Sequence, residues 1–202
     1  MKKDTHYRLP LKLISSYTWA TLSKPARAIL PVIGVYREPE SGKAWPGVKL
    51  IAELAGYKDE RYRYIRAGMD NLIEKNLIIR EKEGRHYFYY LTSLALREGR
   101  ESYFPIYKEA MIISRKWAGL TSSEKSLYPV VGNKAKINEP EVLGSEYHAM
   151  GNINIYKIKE YAKWAGISRW SFYTAYYGLN HKGLIEFSEN DAPFIYWVYV
   201  PK

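Results

Sequence analysis

The sequence predicts an α+β chain, mostly α, built from two copies of one unit in which a helix–turn–helix leads into a β-hairpin. Three observations predict it. Short motifs recur in the same order in both halves. Apolar residues sit at helical spacing on either side of a glycine, and each half contains an alternating aromatic run. The recurrence is the firmest of the three. Trp19-Ala20-Thr21-Leu22-Ser23 matches Trp117-Ala118-Gly119-Leu120-Thr121 at an offset of 98, and Pro31-Val32-Ile33-Gly34 matches Pro129-Val130-Val131-Gly132 at the same offset. Ile51-Ala52-x-x-Ala55-Gly56 falls on Tyr161-Ala162-x-x-Ala165-Gly166 at 110, and Leu72 to Ile78 falls on Leu179 to Ile185 at 107. Tyr7 to Pro10 loosely parallels Tyr103 to Pro105. Two ordered copies indicate a tandem duplication.

The second copy reads most clearly from Ile155 to Phe187. Ile158, Tyr161, Ala162 and Ala165 recur at i, i+3, i+4 and i+7, one face of a helix. Gly166 ends it, because glycine takes the left-handed conformation at little steric cost. Ser168 is placed to cap a second helix, whose apolar side is Phe172, Tyr176 and Leu179. Gly183-Leu184-Ile185-Glu186-Phe187 then reads as an exit turn feeding a strand. Helix, short glycine turn, helix is the helix-turn-helix unit, and an added hairpin makes it a winged helix.

This stretch resembles the winged-helix domains of phage and plasmid replication proteins and of many bacterial regulators. Those carry a small-apolar-Ala-x-x-x-Gly-x-Ser run, a helix, and Leu-x-x-x-Gly-Leu-Ile before the wing. The matching residues are Ala162, Gly166, Ser168, Leu179, Gly183, Leu184 and Ile185. The resemblance implies tandem winged helices that bind double-stranded DNA, in a plasmid or phage protein acting in replication initiation or its control. Order and rough size are similar to plasmid initiators built of two winged helices, although their long dimerisation helix is not evident.

The expected layout is a first winged-helix domain over residues 1–92, a linker over 93–102 and a second winged-helix domain over 103–202. Each copy opens with an extended proline-containing segment and a helix closing near the tryptophan. Ser23 and Pro25 start the next helix of copy one, with Ala26, Ile29, Leu30 and Ile33 as its stripe. In copy two Thr121 and Glu124 have capping-box spacing. Pro31 and Pro129 fall inside these helical patterns, where proline breaks a hydrogen bond or kinks the helix. In copy one the wing is read as Leu77 to Glu81, a turn over Lys82 to Arg85, and His86 to Leu91. In copy two it is Leu184 to Phe187 with Phe194 to Val200. The insertion between Gly132 and Ile155, with Glu139, Glu141 and Glu146, reads as a long loop.

The charge points to a polyanionic partner. The net formal charge is +10, of which residues 1–98 hold +7 (18 basic against 11 acidic) and residues 99–202 hold +3 (13 against 10). No apolar run approaches the ~20 residues of a membrane span. The N-terminus lacks the apolar core of a signal peptide, so a cytoplasmic location is expected. With no cysteine, disulfides, thiol nucleophiles and cysteine-ligated zinc are excluded. His6, His86, His148 and His181 show no metal spacing. No His-x-His motif or phosphate-binding glycine loop occurs, so neither catalysis nor any cofactor is expected.

DNA binding requires cations for phosphates and hydrogen-bonding groups for base edges, carried on the second helix of the motif. In copy one Ile65, Met69 and Leu72 take the core side, leaving Lys58, Arg61, Tyr62, Arg63 and Arg66 outward; Asp59 and Glu60 could pair with these cations on a merely solvated face. Lys82 and Arg85 in the wing are further candidates. In copy two the outward set is Ser168, Arg169, Trp170, Ser171, Tyr173, Thr174 and Tyr177, flanked by Lys157, Lys159 and Lys163. Arg169 suits a bidentate guanine contact. The second wing carries Glu189 and Asp191, which disfavours DNA there. The expected partner is double-stranded DNA, with homodimerisation left open. Two alternatives stand beside it: a transcriptional regulator with the same contacts, and a winged-helix protein–protein adaptor using the tyrosine-rich surface of copy two.

Overall fold

The computed structural model describes residues 6–57, 62–97, 99, 101–136, 147–152, 157–187 and 195–200 of this α+β chain. Strand β1 (His6–Pro10) leads through the short helices α1 (Lys12–Ser15) and α2 (Thr18–Thr21) into α3 (Lys24–Val35). Ser23 caps α3, its hydroxyl accepting from the Ala26 N–H at 3.2 Å. The predicted stripe of Ala26, Ile29, Leu30 and Ile33 is buried, and so is the rest of the helix from Ala26 to Val35. Next come β2 (Lys43–Ala44), α4 (Val48–Ala55), α5 (Tyr62–Glu74), β3 (Ile78–Glu83) and β4 (His86–Leu91). After β5 (Tyr103–Tyr107) and a π-helical turn (Lys108–Ile113) come α6 (Ser122–Lys134), β6 (Ala135–Lys136) and β7 (Tyr147–Asn152). The chain continues through α7 (Ile158–Ala165), α8 (Arg169–His181), β8 (Ile185–Phe187) and β9 (Ile195–Val200). Three antiparallel sheets result, ordered β1-β5, β2-β4-β3 and β6-β7-β9-β8.

The backbone repeats where the sequence does. Left-handed residues fall in pairs: Tyr17 (φ 62°) with Arg115 (φ 63°) at an offset of 98, Gly56 (84°) with Gly166 (63°) at 110, and Asn76 (53°) with Gly183 (65°) at 107. A left-handed φ is uncommon outside glycine; Gly42, Gly84 and Gly99 are left-handed as well.

Contacts divide the chain into two compact units whose membership is interleaved. The first is Met1–Leu13 with Leu22–Gly119, and the second is Ile14–Thr21 with Leu120–Lys202. The linker expected at residues 93–102 lies within the first of these units. In the first unit Trp117 is fully buried and its Nε1 donates to the Ala28 carbonyl at 2.9 Å. In the second, Trp19 is fully buried and donates to the Ser126 carbonyl, also at 2.9 Å. Tryptophans and carbonyls alike differ by 98. Trp117 thus packs in the unit that holds most of the first half of the chain, and Trp19 in the unit that holds most of the second.

This docking supplies a role for the two helix-interior prolines. Proline lacks an N–H and its ring crowds the carbonyl four residues back, loosening that turn. Ala28 and Ser126 each lie three residues before a proline, Pro31 and Pro129. The loosened turn is where the indole arrives.

Three sequence expectations need correction. The insertion is not wholly loop: β7 lies within it and pairs along its length with β9, from Tyr147↔Val200 to Asn152↔Ile195. Residues 137–146, including Glu139, Glu141 and Glu146, lie outside the described residues. The first wing's turn is shorter than expected. Pairing runs on to Glu83↔His86, so Lys82 is in the strand and only Gly84 and Arg85 turn. The linker is partly core, because Ala95 is fully buried and its carbonyl accepts the Tyr7 hydroxyl at 2.8 Å.

Candidate nucleic-acid interface

In the first unit α4 ends at Gly56, where the N–H groups of Gly56 and Tyr57 return to Glu53 and Ala52 at 3.1 and 2.8 Å. A side chain at Gly56 would overlap the Ala118 carbonyl, so close packing reinforces the left-handed requirement. Helix α5 buries Ile65, Gly68, Met69 and Leu72. Gly68 brings it near α3: a Cβ there would stand 2.7 Å from Ile29 Cδ1. This packing turns Arg63 and Arg66 to solvent, with Tyr62 half-buried. The Arg63 guanidinium lies over the Tyr64 ring at 4.9 Å, and Tyr64 stacks near Tyr57 at 6.4 Å. Lys58 and Arg61, with Asp59 and Glu60, lie outside the described residues. Asp70, one turn beyond Arg66, pairs with Arg80 of β3 at 3.7 Å. Lys82 and Arg85 of the β3–β4 hairpin are exposed, as are Glu81 and Glu83.

Sequence reasoning missed the groove beside that wing. It has a volume of about 530 Å³ and is lined by Trp45 to Val48 and by Arg85 to Tyr89. Trp45 is 57% exposed, its ring edge-on to Phe88 at 6.2 Å. The only sequence signal was a Trp-Pro pair ahead of a helix.

In the second unit α7 buries Ile158, Tyr161, Ala162 and Ala165, as the periodicity predicts. Lys157, Lys159 and Lys163 are exposed, and the Lys163 ammonium lies 5.0 Å from the Tyr17 ring centre. Ser168 caps α8, its hydroxyl accepting from the Ser171 N–H at 3.1 Å. That hydroxyl is engaged in the cap and lies 2.9 Å from the Ser171 hydroxyl. Thr174 donates back to the Trp170 carbonyl at 3.3 Å. Phe172, Tyr176 and Leu179 face the core as predicted, together with Ala175. Arg169 is exposed, its Nη2 3.4 Å from the Tyr173 hydroxyl. Trp170 is 81% exposed and Tyr177 60%, with Tyr173 half-buried between them. The turn of the second wing, with Glu189 and Asp191, lies outside the described residues.

Among the described residues two cations are buried. Arg27 and Lys125 are each 5% exposed. They too differ by 98. Burial pushes the Arg27 guanidinium down to about 10 and the Lys125 ammonium down to about 8, the latter also influenced by Glu124 and Lys182. Among the described residues, no cluster of His, Asp and Glu could hold a metal ion, and no helix is long and apolar enough to cross a membrane. No family model, curated protein or solved structure matches the chain.

Proposed function

We propose that the chain is a double-stranded DNA-binding protein of a plasmid or phage, built from two winged helix-turn-helix units by internal duplication, and acting in replication initiation or its control. The observation that carries this is the cationic face of the first unit. The buried stripe of α5 leaves Arg63 and Arg66 outward, and Lys82 and Arg85 are exposed on the hairpin that follows. A second helix presented after a glycine turn, with a hairpin following it, is the arrangement by which such units meet a major groove and its flanking backbone. The duplication is supported by the matched left-handed residues and by the two indole–carbonyl bonds at the same offset. No catalytic role enters this reading.

A second reading, the protein–protein adaptor, is favoured by one observation, the exposed Trp170 and Tyr177 of α8. A transcriptional regulator would use the same DNA contacts as the main reading. Salt dependence separates DNA from protein partners. Changing Arg61, Arg63 and Arg66 together to Ala should flatten the plot of log affinity for duplex DNA against log salt by roughly two to three units, at about 0.9 per phosphate contact. An unchanged slope would remove α5 from the backbone.

A further inference from the structure

The two second helices offer different chemistry at matching positions. At the offset of 107 that aligns them, Trp170 corresponds to Arg63, Tyr173 to Arg66 and Tyr177 to Asp70. Where α5 presents guanidinium groups, α8 presents rings. One turn of helix is 3.6 residues, so Trp170, Thr174, Tyr177 and His181 follow one line along α8, with Tyr173 on its flank. The residues of that line are exposed, and Phe172, Ala175, Tyr176 and Leu179 hold the opposite side in the core.

We propose that α8, with the basic face of α7, is a stacking platform for single-stranded nucleic acid. This rests on the reading of the chain as a DNA-binding protein and names what its second unit takes. A paired duplex keeps the faces of its bases stacked together and shows a helix only their edges. An indole left 81% exposed has a wide π-face and one N–H donor, which fits an unstacked base far better than a groove of edges. Charge agrees. Lys157, Lys159 and Lys163 are exposed on or just before α7, and Arg169 opens α8 beside Tyr173. Glu160 is the one acidic residue of α7, and α8 has none. Rings in a row bordered by cations are how non-specific single-strand binders combine base stacking with phosphate attraction. An apolar protein partner would gain little from the lysines. In the framework of replication control, one unit would hold paired DNA and the other a strand freed from pairing.

The test uses the full-length chain and three probes: a short oligo(dT), the same sugar–phosphate strand without bases, and a mixed-sequence duplex. The exposed rings can be removed without opening the core. W170A/Y177A should weaken oligo(dT) binding about tenfold or more, since each stacked base contributes on the order of a tenfold factor, and should weaken duplex binding far less. W170F should retain most of the oligo(dT) affinity, and the baseless strand should bind more weakly than oligo(dT). R63A/R66A should do the reverse, weakening the duplex and sparing oligo(dT). The platform is overturned if W170A/Y177A leaves oligo(dT) affinity intact, if the baseless strand binds as well as oligo(dT), or if the chain binds no oligo(dT) at all; the last outcome would hand the rings to a protein partner. Failure of the duplex reading shows separately, as R63A/R66A keeping full duplex affinity.

Discussion

Helices α3 and α6 solve one capping problem in two ways. At the start of α3 the Ser23 N–H donates to Asn71 Oδ1 at 2.9 Å, so the partner comes from α5. At the start of α6 the matching N–H, of Thr121, donates to Glu124 Oε2 at 2.6 Å, so the partner comes from the same helix. The substitutions that accompany this are reciprocal. Glu124 replaces Ala26, and Gly178 replaces Asn71. A Cβ at Gly178 would overlap Glu124 Oε1. The carboxylate occupies the space an asparagine would need. It is 4% exposed and holds the Lys182 ammonium with both oxygens at 2.6 Å. The comparison teaches that the donor at the helix start must be paired, while its partner is free to change if the facing helix changes with it.

The largest break in the comparison would come from separating the copies. Residues 1–102 lack Trp117 and β5, and residues 103–202 lack Trp19. Loss of a buried tryptophan costs about 3–5 kcal/mol, against a total stability of roughly 5–15 kcal/mol for a domain. Each fragment alone, as a monomer, should show no cooperative thermal transition by circular dichroism, and mixing the two should restore one. A monomeric fragment 1–102 with a sharp melt would mean that the indole from the second copy is dispensable.

Single substitutions at the capping site should have smaller effects. Gly178→Asn in the presence of Glu124 forces two side chains into one space, a loss of about 1–3 kcal/mol. Glu124→Ala leaves the Thr121 N–H and the Lys182 ammonium without their shared partner, again about 1–3 kcal/mol. The double variant recreates the copy-one arrangement, so it should be less destabilised than the sum of the two. Urea denaturation of all four proteins measures that coupling; strict additivity would show that the two sites do not communicate.

Much of this architecture was readable from local signals. The Thr121–Glu124 box, the Ser23 and Ser168 caps, the glycine after α7 and the buried stripes of α5 and α8 depend on residues within a few positions of each other. The allocation of the indoles was not readable. Trp19-Ala20 and Trp117-Ala118 are the same motif, and nothing local says which of two similar helices each will meet. Strand β7 was missed for a related reason. Tyr-His-Ala-Met-Gly-Asn has little strand preference of its own, and its partner β9, Ile-Tyr-Trp-Val-Tyr-Val, is far away in sequence. The residues of α8 read as outward are exposed or half-buried, but the contrast between cations on α5 and rings on α8 emerges only when positions are compared at the offset of 107.

The smallest expected effect, and the one that isolates a single side chain, concerns the buried cations. Arg27 and Lys125 occupy the same repeat position, each 5% exposed, yet only lysine can release its proton near neutral pH. Burial pushes Lys125 down to about 8 from an ordinary value of 10.5. Between those values the unfolded chain holds the proton and the folded chain does not. Stability should therefore rise with pH across this window, by at most about 1.4 kcal/mol per unit. Below about pH 8 both states are protonated and the contribution is flat. Above about pH 10 a second effect opposes it: burial raises Tyr7 and Tyr128, so the unfolded chain loses phenolic protons first and stability falls. The prediction is a stability maximum near pH 10 in urea denaturation. Lys125→Met should abolish the rising limb and leave the fall above pH 10. Lys125→Arg should import the copy-one solution, remaining charged and equally flat from pH 8 to 10. A wild-type profile that matches Lys125→Met over that interval would show that Lys125 keeps its proton when folded, with its ammonium satisfied by the Leu120 carbonyl it bonds and by the Glu124 carboxylate.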